Sequence, residues 1–163
     1  MILIQECFNL DYALKPNTGH WFHLDALPNK ELISSCFGII KYKNKICLVK
    51  HVERGVEIPG GHIESGESVM DCFHREIKEE VGLVDLTAVK LLAAQEINIQ
   101  VPKPEGYKYP YPKSYQVVFF AEANTCLEFS PSLDSCGRIF VDINELKTHD
   151  FYNNYKFLFD LVF

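Results

Sequence analysis

A chain of 163 residues with 47% hydrophobic and 23% charged residues has the size and makeup of one globular domain with a buried core, which excludes disordered and fibrous classes. The formal net charge of −6 argues against recognition of nucleic acid or of an anionic membrane surface, since both need a basic field. The cysteines at 7, 36, 47, 72, 126 and 136 form no C-x-x-C pair, and they read as free thiols in a reducing compartment. The N-terminus lacks a basic n-region and Glu6 cuts its apolar run short, so no signal peptide is read. No apolar stretch approaches the ~20 residues of a membrane span, and the expected location is cytoplasmic.

Residues 1–12 and 21–27 are short and mixed and carry no clear period. Leu32 to Tyr42 is β-rich, Lys43-Asn44-Lys45 is a turn, and 46–51 is a partner strand, which together predict a hairpin. Val56-Glu57-Ile58 is a brief extended piece stopped by Pro59-Gly60-Gly61. Ser68 then reads as a helix N-cap, with Asp71 three residues on as in a capping box. The predicted helix runs from Val69 to Val81, and Gly82 ends it in the left-handed conformation that glycine adopts at least cost. Leu86 to Gln100 and Ser114 to Ala123 read as strands. Between them, 102–112 is rich in Pro and Tyr and cannot be a regular interior strand. Arg138 to Val141 is a short strand, 142–146 a helical turn, and 153–163 an amphipathic helix. The aromatics of 151–163 permit a homodimer. This order predicts an α/β fold, a mixed sheet flanked by helices, as a single domain over 1–163.

Glu76, Glu79 and Glu80 stand at i, i+3 and i+4, so a helix brings all three carboxylates to one face. Like charges at this spacing repel. Lys78, two residues from Glu76, points elsewhere and does not relieve them. A hard divalent cation would, because Mg²⁺ takes oxygen ligands, usually one or two carboxylates with waters and substrate phosphates. On the same helix Val69, Phe73 and Ile77 form an apolar stripe that can anchor it to a sheet. Glu-rich helices are common, and Glu79-Glu80 alone would read as a solvated acidic face. The surrounding pattern shifts that reading.

From Gly61 the sequence runs Gly61, five residues, Glu67, seven residues, Arg75-Glu76-Ile77, one residue, Glu79-Glu80, one residue, Gly82-Leu83. This is similar to the Nudix box, G-x5-E-x7-R-E-U-x-E-E-x-G-U with U aliphatic, and matches every fixed position. The resemblance covers 61–83 only. It implies a Nudix-type α/β/α sandwich in which the box forms a loop-helix-loop. It also implies attack of water on phosphorus in a nucleoside diphosphate linked to another moiety, with Mg²⁺ (or Mn²⁺) as cofactor and a small-molecule nucleotide as substrate. By resemblance Glu76, Glu79 and Glu80 are metal-binding carboxylates, Glu79 or Glu80 lying closest to the ion and the water. The Gly61 carbonyl contributes to the metal site, Arg75 orients a box carboxylate, and Glu67 supports. The chemistry agrees with the residues: a bound cation neutralises crowded phosphate oxygens and acidifies water, and a carboxylate can take the proton.

Other residues are candidates beside bland alternatives. Glu122 stands at the end of the Ser114 to Ala123 strand and, by resemblance to some pyrophosphohydrolases, joins the metal site or acts as base; it is equally readable as a surface charge. Glu96 is a lesser candidate of the same kind. Arg54 and Lys50 precede the box and could bind phosphate oxygens, although surface charges are commoner. His51 and His62 read as loop or strand histidines. The 107–115 segment, with Tyr107 among its rings, could stack on a base or simply pack on itself. Many nucleotide-cleaning relatives carry Trp three residues before the box-loop Pro, where this chain has Val56. At the offset that often marks ADP-ribose or dinucleoside-polyphosphate cleavers it has Ile97-Asn98-Ile99. Both departures leave the substrate open; the foremost expectation is hydrolysis of a nucleoside triphosphate or a related derivative. The alternatives are an ADP-ribose or nucleotide-sugar pyrophosphatase, and a catalytically silent nucleotide sensor.

Overall fold

The structure, a computed structural model, describes residues 1–131 and 135–163. Its strands are β1 (Ile2–Phe8), β2 (Asn17–His23), β3 (Ile33–Tyr42), β4 (Lys45–His51), β5 (Gly55–Glu57), β6 (Gly60–His62), β7 (Leu83–Ile99), β8 (Lys113–Cys126) and β9 (Ser135–Asp142). Two helices, α1 (Val69–Val81) and α2 (Phe151–Phe159), accompany them. All these strands join one sheet in the order β1-β2-β7-β8-β3-β4-β5, with β6 on β3 and β9 on β4. The β3–β8 pair is parallel and the other pairs are antiparallel, so the sheet is mixed as expected.

Side chains alternate between the two faces of a strand, and both faces of this sheet are apolar at its centre. Cys36 and Ile40 of β3, Val49 of β4 and Val117, Phe119 and Ala121 of β8 pack against α1. Val69, Phe73 and Ile77 of the helix meet them, the stripe read from the helical period. On the opposite face Ile39, Ile46, Leu48 and Val118 pack against Tyr152, Leu158 and Phe159 of α2. The result is the α/β/α layering. Among the described residues no helix is long and apolar enough to cross a membrane.

Four readings of the sequence are corrected. Of the patternless stretches, 1–12 contains β1 and 21–27 only the last residues of β2 (Asn17–His23), and the two strands form an antiparallel pair that extends the sheet beyond β7. Most β1 side chains are exposed, so no apolar period marks it, and its order comes from pairing. Strand β7 begins at Leu83 rather than Leu86; positive φ at Asp85 and Ala88 and two register shifts hide its alternation. The hairpin turn is Lys43-Asn44 alone, with Lys43 at φ 57°. Helix α2 covers 151–159 rather than 153–163; beyond it the N–H groups of Leu161 and Val162 bond to the Leu158 and Phe159 carbonyls in tight turns. Phe151, Tyr155 and Phe157 lie against the second core, and Trp21 meets Phe157 at 5.0 Å between centroids, while Phe163 stays exposed. Those rings serve packing within the chain.

The edge of β3 opposite β8 is shared: Ile40, Lys41 and Tyr42 pair with β4, and Ser35, Cys36 and Phe37 pair with β6. Gly60 enters β6 at φ 149°, and a Cβ there would lie 2.2 Å from the Cys36 carbonyl oxygen. Only glycine permits this approach. We expect Gly60→Ala to cost about 2–4 kcal/mol of stability in urea unfolding, whereas Gly66→Ala, also at positive φ but with open space around it, should cost less.

Candidate active site

Helix α1 is capped at both ends by its own sequence and by β9. The Ser68 hydroxyl accepts from the Asp71 N–H at 3.1 Å, and the Asp71 carboxylate accepts from the Ser68 N–H at 3.3 Å, completing the capping box. At the other end Gly82 takes φ 64° and its N–H donates to the Lys78 carbonyl. Arg138 of β9 donates to the carbonyls of Val81 and Leu127 at 2.5 and 2.8 Å, a cation at the negative end of the helix. The helix is thereby fixed on the sheet with its carboxylates toward β6.

Arg75 is the hub of that face. Its guanidinium donates to both Glu67 oxygens at 2.8 and 2.9 Å. It also donates to Glu76 at 2.8 Å, to Glu79 at 3.2 Å and to the His62 carbonyl at 3.0 Å. Bidentate geometry of this kind suits arginine's rigid fork. Its hydrogen bonds hold the Glu67 carboxyl down to about 2.

The three carboxylates share a face but not an environment. Glu76 lies against Gly61, where a Cβ would come within 2.4 Å of its Oε1, so glycine is required beside it. Burial pushes the Glu76 carboxyl up despite Arg75. Glu80 is deeper: its Oε2 accepts from the Gly60 N–H at 2.7 Å and its Oε1 lies 3.6 Å from Nε2 of buried His51. Burial first, then the charge of Glu76, lifts Glu80 to about 7 against the lowering effect of the Gly60 N–H. Glu79 stands at the rim, 59% exposed.

The donor chemistry fits a hard cation. Cys36 and Cys72 lie directly beneath, with sulfurs 3.0 Å apart, and Cys72 Sγ lies 3.8 Å from the Gly61 carbonyl. Their mutual contact and burial drive the Cys36 thiol strongly upward, so it stays protonated and leaves oxygen donors in charge. Among the described residues no three ligating side chains already surround one point. Arg75 Nη1 lies 2.8 Å from Glu76 and 3.2 Å from Glu79, and its charge offsets their repulsion.

The other expected residues divide. Arg54 is at the mouth: its Nη2 lies 2.9 Å from the His51 ring and its Nε 3.6 Å from Glu57. His51 bridges Glu57 and Glu80 at 3.6 Å each, a linking role that sequence reading did not assign. Lys50 is exposed and, one residue from His51, faces the opposite side of the sheet. Glu122 is not brought to the site. It pairs with Lys41 at 3.0 Å on the face away from α1, and the strand register puts it ~16 Å along from Gly61. Glu96 is held by Tyr115, Lys113 and Asn98 at 2.5, 2.9 and 2.9 Å, a packed strand charge. Tyr107 lines a separate cavity on the α2 side of the sheet, together with His62.

A carboxyl raised by folding destabilises the native state once the unfolded form ionises. The unfolded Glu80 loses its proton near 4.5 and the folded one near 7, so metal-free stability falls as pH rises through that window. Neutral Glu80→Gln should therefore match wild type at pH 4 and exceed it at pH 8 by on the order of 1–3 kcal/mol in metal-free urea unfolding. A variant penalty that does not change with pH would sink this account.

Comparison with known proteins agrees with the geometry. An ADP-ribose pyrophosphatase of Methanocaldococcus jannaschii is 45% identical over 51 residues, 29% of this chain and 30% of that protein. An 8-oxo-dGTP diphosphatase of Haemophilus influenzae is 33% identical over 66 residues, 37% of this chain and 48% of that protein. The matches thus span less than half the length of these relatives. The crystal structure of a Bacillus subtilis pyrophosphohydrolase, 20% identical, aligns over 84% of this chain and 77% of its own with a TM-score of 0.64, a likeness of fold. The family model for the NUDIX domain matches residues 30–161, and with the box folded as described, the chain belongs to the Nudix family.

Proposed function

We propose that this protein hydrolyses a pyrophosphate bond in a nucleoside diphosphate linked to another moiety, foremost a nucleoside triphosphate or related derivative, with Mg²⁺ (or Mn²⁺) as cofactor. One observation carries the reading: Arg75 gathers Glu67, Glu76 and Glu79 against β6 while Glu80 is held by Gly60 and His51. Glu76, Glu79, Glu80 and the Gly61 carbonyl would hold the ion. When bound, Mg²⁺ supplies charge neutralisation for the phosphate oxygens and a more acidic water.

The chain's own groups supply the rest. Glu80, walled in by Gly60 and His51, has the buried oxygen suited to take the proton from the water that attacks phosphorus. The bond that breaks joins phosphorus to the bridging oxygen, which leaves with the second phosphate. Arg75 fixes Glu76 and Glu79 in place, and the exposed Arg54 is placed to contact a phosphate oxygen. An acidic protein accepts an anionic substrate in this way because the local charge is inverted. The 8-oxo-dGTP diphosphatase relative supports the triphosphate reading. The ADP-ribose pyrophosphatase relative supports a second, in which the leaving group is a sugar phosphate. A silent sensor has no need of three mutually repelling carboxylates. The chain acts as one unit, and its free cysteines suit a reducing, cytoplasmic setting.

The test is turnover of a nucleotide panel, including ADP-ribose and nucleotide sugars, with Mg²⁺ and a phosphate-release reporter. Glu79→Gln and Glu80→Gln should each lower kcat by about 10²–10⁴-fold, and chelation should abolish activity until Mg²⁺ is restored. Equal turnover by wild type and both variants would overturn the assignment, and tight nucleotide binding without turnover would support the sensor instead.

A further inference from the structure

The sheet face opposite α1 carries a second concavity that the proposed chemistry does not use. It has a volume of about 270 Å³, just below the roughly 300–1,000 Å³ usual for small-molecule sites. Its border with the box is β6 itself. Gly61 faces Glu76 across one side of this strand, and the next residue, His62, lines the cavity on the other. The Arg75 guanidinium donates to the His62 carbonyl, tying this wall to the carboxylate cluster.

The walls are aromatic and ordered before any ligand arrives. His62 and Tyr109 stack with centroids 4.4 Å apart and planes at 25°. Tyr107 meets Tyr109 edge-on at 5.6 Å. Tyr12 also lines the cavity: the residue is 60% exposed, yet its hydroxyl donates to Gln95 Oε1 at 2.5 Å. Gln95 is fully buried and its Nε2 has no hydrogen-bond partner among the described residues. The turn carrying Tyr12 is held by buried Asn17, whose side chain bonds to Leu10 N–H at 2.8 Å and to the Leu10 and Leu14 carbonyls at 3.1 and 3.0 Å. Exposed rings fixed in this way lose little freedom on binding.

The floor is polar but uncharged. Ser34, Ser114 and Gln116 rise from β3 and β8, and the half-buried Gln116 amide makes no hydrogen bond to another described residue. A primary amide offers two donors and an acceptor, the set that reads the edge of a heterocycle. No Lys or Arg lines the cavity, and Asp11, which does, is paired with Lys15. The cavity wall thus offers phosphate no cation, whereas Arg54 stands outside it beside His51 and Glu57.

We infer that this cavity takes the planar nitrogenous base of the nucleotide, held by the aromatic walls and read at its edge by Gln116. The inference rests on the nucleotide reading of the box. Base and phosphates then sit on opposite sides of β6, with the sugar passing its edge. Tyr109 and Tyr12 set affinity, because stacking is indifferent to which base is present. Gln116 sets the ranking among bases.

The experiment uses the full chain with Mg²⁺ and two probes, nucleoside 5′-monophosphates and ribose 5-phosphate, in calorimetric titration beside steady-state kinetics. Wild type should bind the monophosphates at least about tenfold tighter than ribose 5-phosphate, and Tyr109→Ala should remove most of that advantage. Gln116→Ala should change the ratio of kcat/KM between bases by about tenfold. Tyr109 sits on a surface loop and Gln116 is only half-buried, and thermal unfolding of each variant identifies any that misfolds; agreement of the two variants then carries the test. Equal wild-type affinity for the two probes, or an unchanged advantage in Tyr109→Ala, would overturn the base site even with turnover intact. A base-dependent affinity lost in Tyr109→Ala, in a protein that turns over no nucleotide, would uphold the base site and reject the hydrolase reading.

Discussion

The contact on which the rest depends is the guanidinium of Arg75 set among three carboxylates and one carbonyl. Without it, Glu76 and Glu79 on one turn would repel each other, and the loop bearing Glu67 would have no tie to the helix. The same group reaches the His62 carbonyl, so one side chain joins helix, loop and edge strand. Arg75 in turn needs a helix fixed at both ends. The capping box at Ser68 and the Arg138 clamp on Val81 provide that, while Phe73 and Ile77 bury the opposite face completely.

Close backbone approach makes this arrangement possible. Gly60 passes within contact of Cys36, and Gly61 leaves room for the Glu76 carboxylate. Side chains at either position would push β6 outward and separate the carboxylates from the carbonyl. The short strand also divides two chemistries. On the α1 side lie charged oxygens at differing depths, with Glu80 buried and raised and Glu79 exposed. On the α2 side lie aromatic rings and neutral amides and hydroxyls. A substrate with a charged half and a planar half is matched by that division.

Much of the charged half was legible beforehand. Val69, Phe73 and Ile77 repeat at the helical period, and Ser68 and Gly82 mark its ends, so the helix bounds agree with the structure. The i, i+3, i+4 spacing pointed to the carboxylate face, and the resemblance of 61–83 to the Nudix box implied Arg75's part beside it. Glu122 shows where such reading fails. Its place near the end of the strand read from the sequence suited a ligand, but it lies within β8 and alternation turned it to the other face beside Lys41. Strands β1 and β2 were illegible for different reasons: β1 is an edge strand with mostly solvated side chains, and β2, paired on both sides, sets polar Asn17, Thr18 and His20 among its apolar residues, so backbone pairing orders both and leaves no local pattern.

By itself the sequence determined the helix, its caps and its carboxylate face, because each depends on neighbours within about two turns of chain. Tertiary structure alone decided which of the remaining polar residues meet. His51 comes to Glu80, Tyr12 to Gln95, and His62 to Tyr109 only when β4, the β1–β2 turn and the Pro/Tyr loop fold onto a common sheet. Those encounters join residues 29, 83 and 47 positions apart, distances at which no periodicity or cap signal survives. The carboxylate helix was written locally; the aromatic cavity beyond β6 exists only through long-range strand pairing.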